Sequence, residues 1–129
     1  MKKIKFEDLF YHDVSILEIK ISHIDTNSDK QLLFLLENEN NKKIKCCIER
    51  VYAISIESHF KVDSINSILE VTKIEDDEWV SNEINAIKQF PNVNNDLFKS
   101  LMLYKLVTSH GEVFKLILES EYVLYEEYN

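Results

Sequence analysis

A chain of 129 residues with 45% hydrophobic and 29% charged residues has the size and composition of one folded domain around a single core, not of a disordered segment. Its formal net charge of −8 and its single arginine, Arg50, argue against a nucleic-acid partner, because phosphates are neutralised by clustered Lys and Arg. One glycine, Gly111, and one proline, Pro91, leave almost no material for phosphate-cradling loops or for glycine-flanked nucleophile elbows.

Met1-Lys2-Lys3 opens like a secretory signal, but Glu7 and Asp8 fall where the apolar run of a signal belongs. No apolar stretch approaches the ~20 residues that span a bilayer. The expected address is therefore the cytoplasm, with no membrane partner. Tyr11-His12-Asp13 contains the His-Asp pair of metal-dependent phosphohydrolases. That chemistry needs further His and Asp ligands spread over helices. Here the pair precedes a strand, so Asp13 is expected to close a turn and His12 to pack or hydrogen-bond at the end of the sheet.

Residues 14–24 alternate with period two, placing Leu17, Ile19 and Ile21 on one buried face against Glu18, Lys20 and Ser22. Thr26 to Asp29 reads as a turn by composition. The run QLLFLLE at 31–37 is apolar at nearly every position and predicts a strand in the middle of a sheet, followed by a polar turn at 38–41. Residues 43–49 alternate again, with Ile44, Cys46 and Ile48 together, and residues 51–57 place Tyr52, Ile54 and Ile56 together. A further β-branched stretch covers 66–75, with Leu69 and Val71 on one side. Strands at this spacing pair as antiparallel hairpins.

The exception is residues 76–90, where Val80, Ile84 and Ile87 recur at helical spacing. Acidic residues crowd its start, Lys88 lies near its end and Pro91 follows, as the helix dipole and proline's missing N–H require. The chain closes on a hairpin of residues 97–108 and 113–125, joined through a tight primed turn at His110-Gly111. The expected fold is one domain over residues 1–129 of the mainly β (α+β) class. It is an antiparallel sheet or a β-sandwich with one helix near 76–90 and a C-terminal hairpin.

No candidate catalytic or metal-binding set emerges, and no cofactor is expected. His23, His59 and His110 are not spaced as ligand pairs. The adjacent Cys46 and Cys47 sit on a strand, so one is expected in the core and the other near the surface, both reduced. A cysteine nucleophile would need positive surroundings; Lys43, Lys45 and Arg50 are near in sequence, yet strand cysteines mostly fill cores. Glu75, Asp76, Asp77 and Glu78 form the densest acidic cluster. It reads either as the solvated start of the helix or as a contact patch for a basic partner, and these four are the candidate partner-binding residues. A second acidic set, Glu119, Glu121, Glu126 and Glu127, would guard the last strand against pairing if that strand were an edge.

The run Tyr11-His12-Asp13-Val14-Ser15-Ile16-Leu17-Glu18-Ile19 resembles the aromatic-His-Asp, Ile-x-x-Ile opening of a group of small bacterial proteins. Leu32 to Leu36, Ile65-Asn66-Ser67-Ile68-Leu69-Glu70-Val71, Gly111-Glu112-Val113-Phe114-Lys115-Leu116 and Val123 are similar in the same order. Some members of that group are immunity proteins of bacterial polymorphic toxin systems. The resemblance implies a β-rich fold and a cytosolic, non-catalytic protein that neutralises a toxin domain; this chain departs from it by the helical insertion at 76–90. Two other classes of function remain open, a small-molecule binder with a pocket lined by Trp79, Tyr52 or Tyr104, and a homo-oligomer.

Overall fold

The computed structural model describes residues 1–23, 30–57, 66–73, 77–89, 96, 100–109 and 111–128. Eight strands and two helices are described: β1 (Lys2–Lys5), α1 (Phe6–Leu9), β2 (Ser15–His23), β3 (Lys30–Glu37), β4 (Lys43–Glu57), β5 (Asn66–Lys73), α2 (Glu78–Lys88), β6 (Met102–Thr108), β7 (Val113–Leu118) and β8 (Tyr122–Tyr128). The strands form one antiparallel sheet of order β1-β8-β4-β3-β2-β5-β6-β7, with a further β4–β7 pairing. The mainly β expectation holds, in the form of a single continuous sheet.

The extra pairing follows from the length of β4. Its first part, Lys43 to Cys47, pairs with β8, and its later part, Val51 to Glu57, pairs with β7. Strands β4-β3-β2-β5-β6-β7 therefore close into a ring, and β8 and β1 branch from it. The seam at β2–β5 is short, with only Ser15↔Ser67 and Ile16↔Asn66 in register. Closure gives each ring strand a neighbour on both sides for at least part of its length, while β1, paired only with β8, is left as an edge.

The sequence divides β4 into separate strands at 43–49 and 51–57, whereas the structure makes it one strand of 15 residues. The reason lies at Ile48 to Ala53, where register shifts on both the β3 and β7 sides mark a bulge. Ile44, Cys46 and Ile48 face inward before it, and Val51 and Ile54 pack inward after it. A phase change within one strand imitates two strands with a break. A similar irregularity between Ile16 and Glu18 in β2 brings Ile16, rather than Leu17, onto the inner face with Ile19. Ile16 and Ile19 belong to the core, while Ile21 is 53% exposed. Ile56, expected to share a buried face with Ile54, is 45% exposed.

The interior holds an aromatic stack that crosses the ring. Phe6 stacks on Tyr104 of β6 at 4.2 Å and on Phe10 at 4.3 Å, and Phe10 meets Phe34 of β3 edge-on at 5.0 Å. Strands β3 and β6 lie opposite one another in the ring, so these four rings span it. Phe6 and Leu9, three apart on α1, face the same way, and Phe6, Leu9, Phe10 and Val14 are all buried. The 2.7 Å bond from the Phe6 N–H to the Glu121 carbonyl holds this segment against the start of β8. Each such side chain contributes about 1.5–3 kcal/mol by burial, and each aromatic pair about 0.5–1.5 kcal/mol more.

The helix forms where expected, two residues shorter at each end, with Asp77 as its N-cap and Val80 and Ile87 buried. Ile84 is half-buried, Ala86 is exposed, and Phe90 and Pro91 lie outside the described residues. The turn at 38–41 is built by Asn38, whose Oδ1 accepts from the Asn40 and Lys42 amides at 3.0 Å each, with Asn41 at φ 60°. The turn expected at 26–29 lies outside the described residues, as do residues 97–99 of the first hairpin arm. In β5, Ile68 is fully buried.

The C-terminal hairpin is present with two corrections. Its second arm ends at Leu118, and residues 122–128 form the separate strand β8 between β1 and β4, so β8 is not an edge. Its turn is not the two-residue primed type. The Thr108 N–H bonds to the Glu112 carbonyl and the Gly111 N–H to the Thr108 carbonyl, both at 3.0 Å, with Gly111 at φ 81°. That is a three-residue connection with glycine in its left-handed position. His110 lies outside the described residues.

Candidate functional site

Of the four candidate contact residues, Asp77 and Glu78 are described, and Glu75 and Asp76 lie outside the described residues. Asp77 has extended backbone, φ −146° and ψ 134°, as an N-cap requires. Its Oδ1 accepts from the Trp79 amide at 2.8 Å and the Val80 amide at 3.3 Å, and its Oδ2 accepts from Lys115 Nζ at 2.6 Å. The Lys115 side chain, then the Val80 and Trp79 amides, hold this carboxyl below the usual aspartate range, against an opposing push from partial burial. Asp77 and Lys115 side chains are each 19% exposed. The pair thus fixes the start of α2 over β7, and Asp77 has little capacity left for a partner. Glu78, next in the chain, is exposed at the positive end of the helix.

The junction where β4 parts from β8 and joins β7 makes a cleft of about 210 Å³ that periodicity does not foretell. Lys3, Cys47, Arg50, Glu119 and Tyr122 line it together with the backbone of the bulge. Arg50 Nη1 donates to both Glu119 carboxylate oxygens at 3.1 Å, and the Glu119 N–H donates to the Arg50 carbonyl at 3.3 Å. Lys3 lies 5.7 Å from the Tyr122 ring centre. The acidic residue nearest the only arginine therefore serves to close the sheet junction. A clue existed in the sequence, since Arg50 is the sole guanidinium and Glu119 sits beside a turn, but their separation of 69 positions hides the pairing.

On the outer face of β2, β3, β4 and β8, Leu33 and Leu35 floor a groove of about 380 Å³ rimmed by Glu18, Lys20, Lys45, Glu126 and Tyr128. A third concavity, about 230 Å³, gathers Ile21, Leu32, Val51, Tyr52, Ala53 and Ile54 with Glu83 of α2. Of the aromatics expected to line a pocket, Tyr52 does so here. Tyr104 instead belongs to the interior stack, where burial, reinforced by Glu7 and Glu121, pushes its hydroxyl up to about 12. Trp79 is half-buried on α2.

Both cysteines are free and both are buried, which corrects the expectation that one lies near the surface. Cys46 points into the core, where burial first and then its neighbour Cys47 raise its thiol far above the ordinary value. Cys47 faces outward between Leu33 and Leu124, its register partners, and these larger neighbours cover the small thiol. Its Sγ accepts from the Gln31 side chain. Burial raises its pKa as well, against the lowering effect of that bond. Neither thiol is placed as a nucleophile.

His12 Nδ1 lies 3.0 Å from an Asp13 carboxylate oxygen, with the two side chains 66% and 64% exposed. Asp13 occupies a left-handed turn, φ 73°, with Val14 N–H bonded to the Tyr11 carbonyl at 3.2 Å and Asp13 N–H to the Ile68 carbonyl at 2.9 Å. The pair does close the turn before β2. Among the described residues, no three His, Cys, Asp or Glu side chains converge as a metal cage. His59 lies outside them. Among the described residues, no helix is long and apolar enough to cross a membrane. No protein-family model matches this chain, and neither a curated protein sequence nor a solved structure matches it.

Proposed function

We propose that this chain is a non-catalytic cytoplasmic binding protein that neutralises a basic toxin domain by covering its active or binding surface. The observation that carries the reading is the division of labour in the molecule. The ring interior is filled by Phe6, Phe10, Phe34 and Tyr104, while a net charge of −8 is left to the surface. A filled interior supports a function exerted from outside. A strongly acidic surface speeds encounter with a basic partner. Glu78 at the helix start is the described acidic residue best placed for such a contact, and the resemblance to immunity proteins points the same way.

Co-expression with the toxin-like product of a neighbouring gene tests this. Growth protection and an equimolar complex whose association slows with added salt are expected, and Glu78→Lys should slow association further. The absence of both protection and a complex would overturn the reading. A second reading, a small-molecule binder, draws on the concavity that places Glu83 beside Tyr52 and five aliphatic side chains of β2–β4. Displacement of an environment-sensitive apolar amine dye from the wild type, and its loss in Glu83→Gln, would favour that reading instead.

A further inference from the structure

We propose that this chain forms a homodimer in which two copies meet through the outer face of β2, β3 and β4, centred on Leu33 and Leu35. The starting point is β3 itself. Leu32, Phe34 and Leu36 are fully buried inside the ring, yet the alternate positions Leu33 and Leu35 are apolar too and floor an open groove. A strand with one wet face carries polar residues there; a strand apolar on both faces is one that is covered on both. The rim of the groove identifies what covers it.

The register sets the charges in a row across the strands. Leu35 pairs with Glu18 on the β2 side and with Lys45 on the β4 side, and Lys45 in turn faces Glu126 on β8. Glu18 and Lys45 therefore stand one strand to either side of Leu35, each about 4.8 Å away in the sheet direction. A two-fold axis lying in the contact plane along β3 exchanges these two sides. It lays Leu33 on Leu33 and Leu35 on Leu35, and sets Glu18 of each copy against Lys45 of the other. The patch is complementary to itself, as an isologous contact requires. Glu18 also has Lys20 on its own strand, at 3.7 Å and well exposed, a pairing weak enough to exchange. Long rim side chains from one copy extend over the leucine floor of the other, so the grooves fill as the faces meet.

Sedimentation velocity of the whole chain across the micromolar range, with circular dichroism as a check on folding, reads the outcome. The wild type is expected at the mass of two chains. Glu18→Lys sets lysine against Lys45 at both ends of the contact, and Lys45→Glu sets glutamate against Glu18. Each should weaken dimerisation roughly tenfold or more. The double variant, Glu18→Lys with Lys45→Glu, restores opposite charges in exchanged positions and should recover the dimer. Both residues lie on the outer surface, away from the interior stack; Lys45→Glu also faces Glu126 of its own chain, and circular dichroism separates any loss of folding this causes from a loss of dimer. A wild type that stays at the mass of one chain overturns the proposal and leaves the face to a different protein. A dimer indifferent to both single substitutions, or one that the double variant fails to restore, overturns it equally.

Discussion

Asp77 concentrates three donors on one carboxylate, and its replacement separates two effects. Asp77→Ala removes the helix cap and strands the Lys115 ammonium, so a loss of about 1 kcal/mol or somewhat more is expected in denaturant unfolding. Asp77→Asn keeps a capping oxygen and loses only the charge. Because the folded carboxyl titrates below its unfolded value of about 3.9, its stabilisation is complete above that pH and disappears as the pH falls through the folded pKa. Wild type and Asp77→Asn should therefore differ at neutral pH and converge in acid; a constant difference from neutrality to strong acid would show that the charge is not what Lys115 recognises. The two thiols make a companion case. With both raised by burial, a thiol-specific disulfide reagent should react slowly with the native chain and with both cysteines once it is unfolded, and rapid labelling of the native protein would contradict the placement of Cys47.

At the scale of elements, α1, at four residues as short as β1, is among the most consequential. Phe6→Ala removes one ring from the middle of the stack and opens a cavity between β6 and α1, so a loss of about 3–5 kcal/mol is expected in equilibrium unfolding. A cost near that of a surface substitution would mean that the ring interior collapses readily around the gap. Sequence periodicity finds most of the strands and the helix but not this segment, because four helical residues carry too short a pattern to declare themselves. The same limit applies to β1, whose Lys-rich stretch becomes a strand only because β8 is there to pair with it. Bulges are invisible for a related reason. Alternation in 14–24 predicts Leu17 on the inner face, and the extra residue there shifts the phase so that Ile16 shares that face with Ile19. The acidic start of α2 is legible as a dipole signal, whereas the cap itself comes from Asp77 alone and the lysine that engages it is 38 positions away, where no local rule reaches it.

Across the whole molecule, the surface rather than the interior carries the two interactions proposed, and they use different regions. The acidic start of α2 lies over β7, while the leucine groove faces outward from β2, β3 and β4, so a toxin contact and a homodimer do not compete for the same residues. Salt separates them as well. Encounter with a basic partner rests on net charge and should slow markedly as salt is added, while the dimer rests on an apolar centre with charged flanks and should respond less. The pairing of β1 with β8 has a temporal consequence. Strand β1 finds its register, Lys2 against Tyr125 through Lys5 against Tyr122, only when β8, far along the chain, has been made. The aromatic plug attached to β1 is held by the Glu121 carbonyl and so waits with it. Synthesis must therefore pass β7, which seals the ring, and reach β8 before this plug is held, and until then the apolar interior is exposed to whatever chaperone or partner reaches it first.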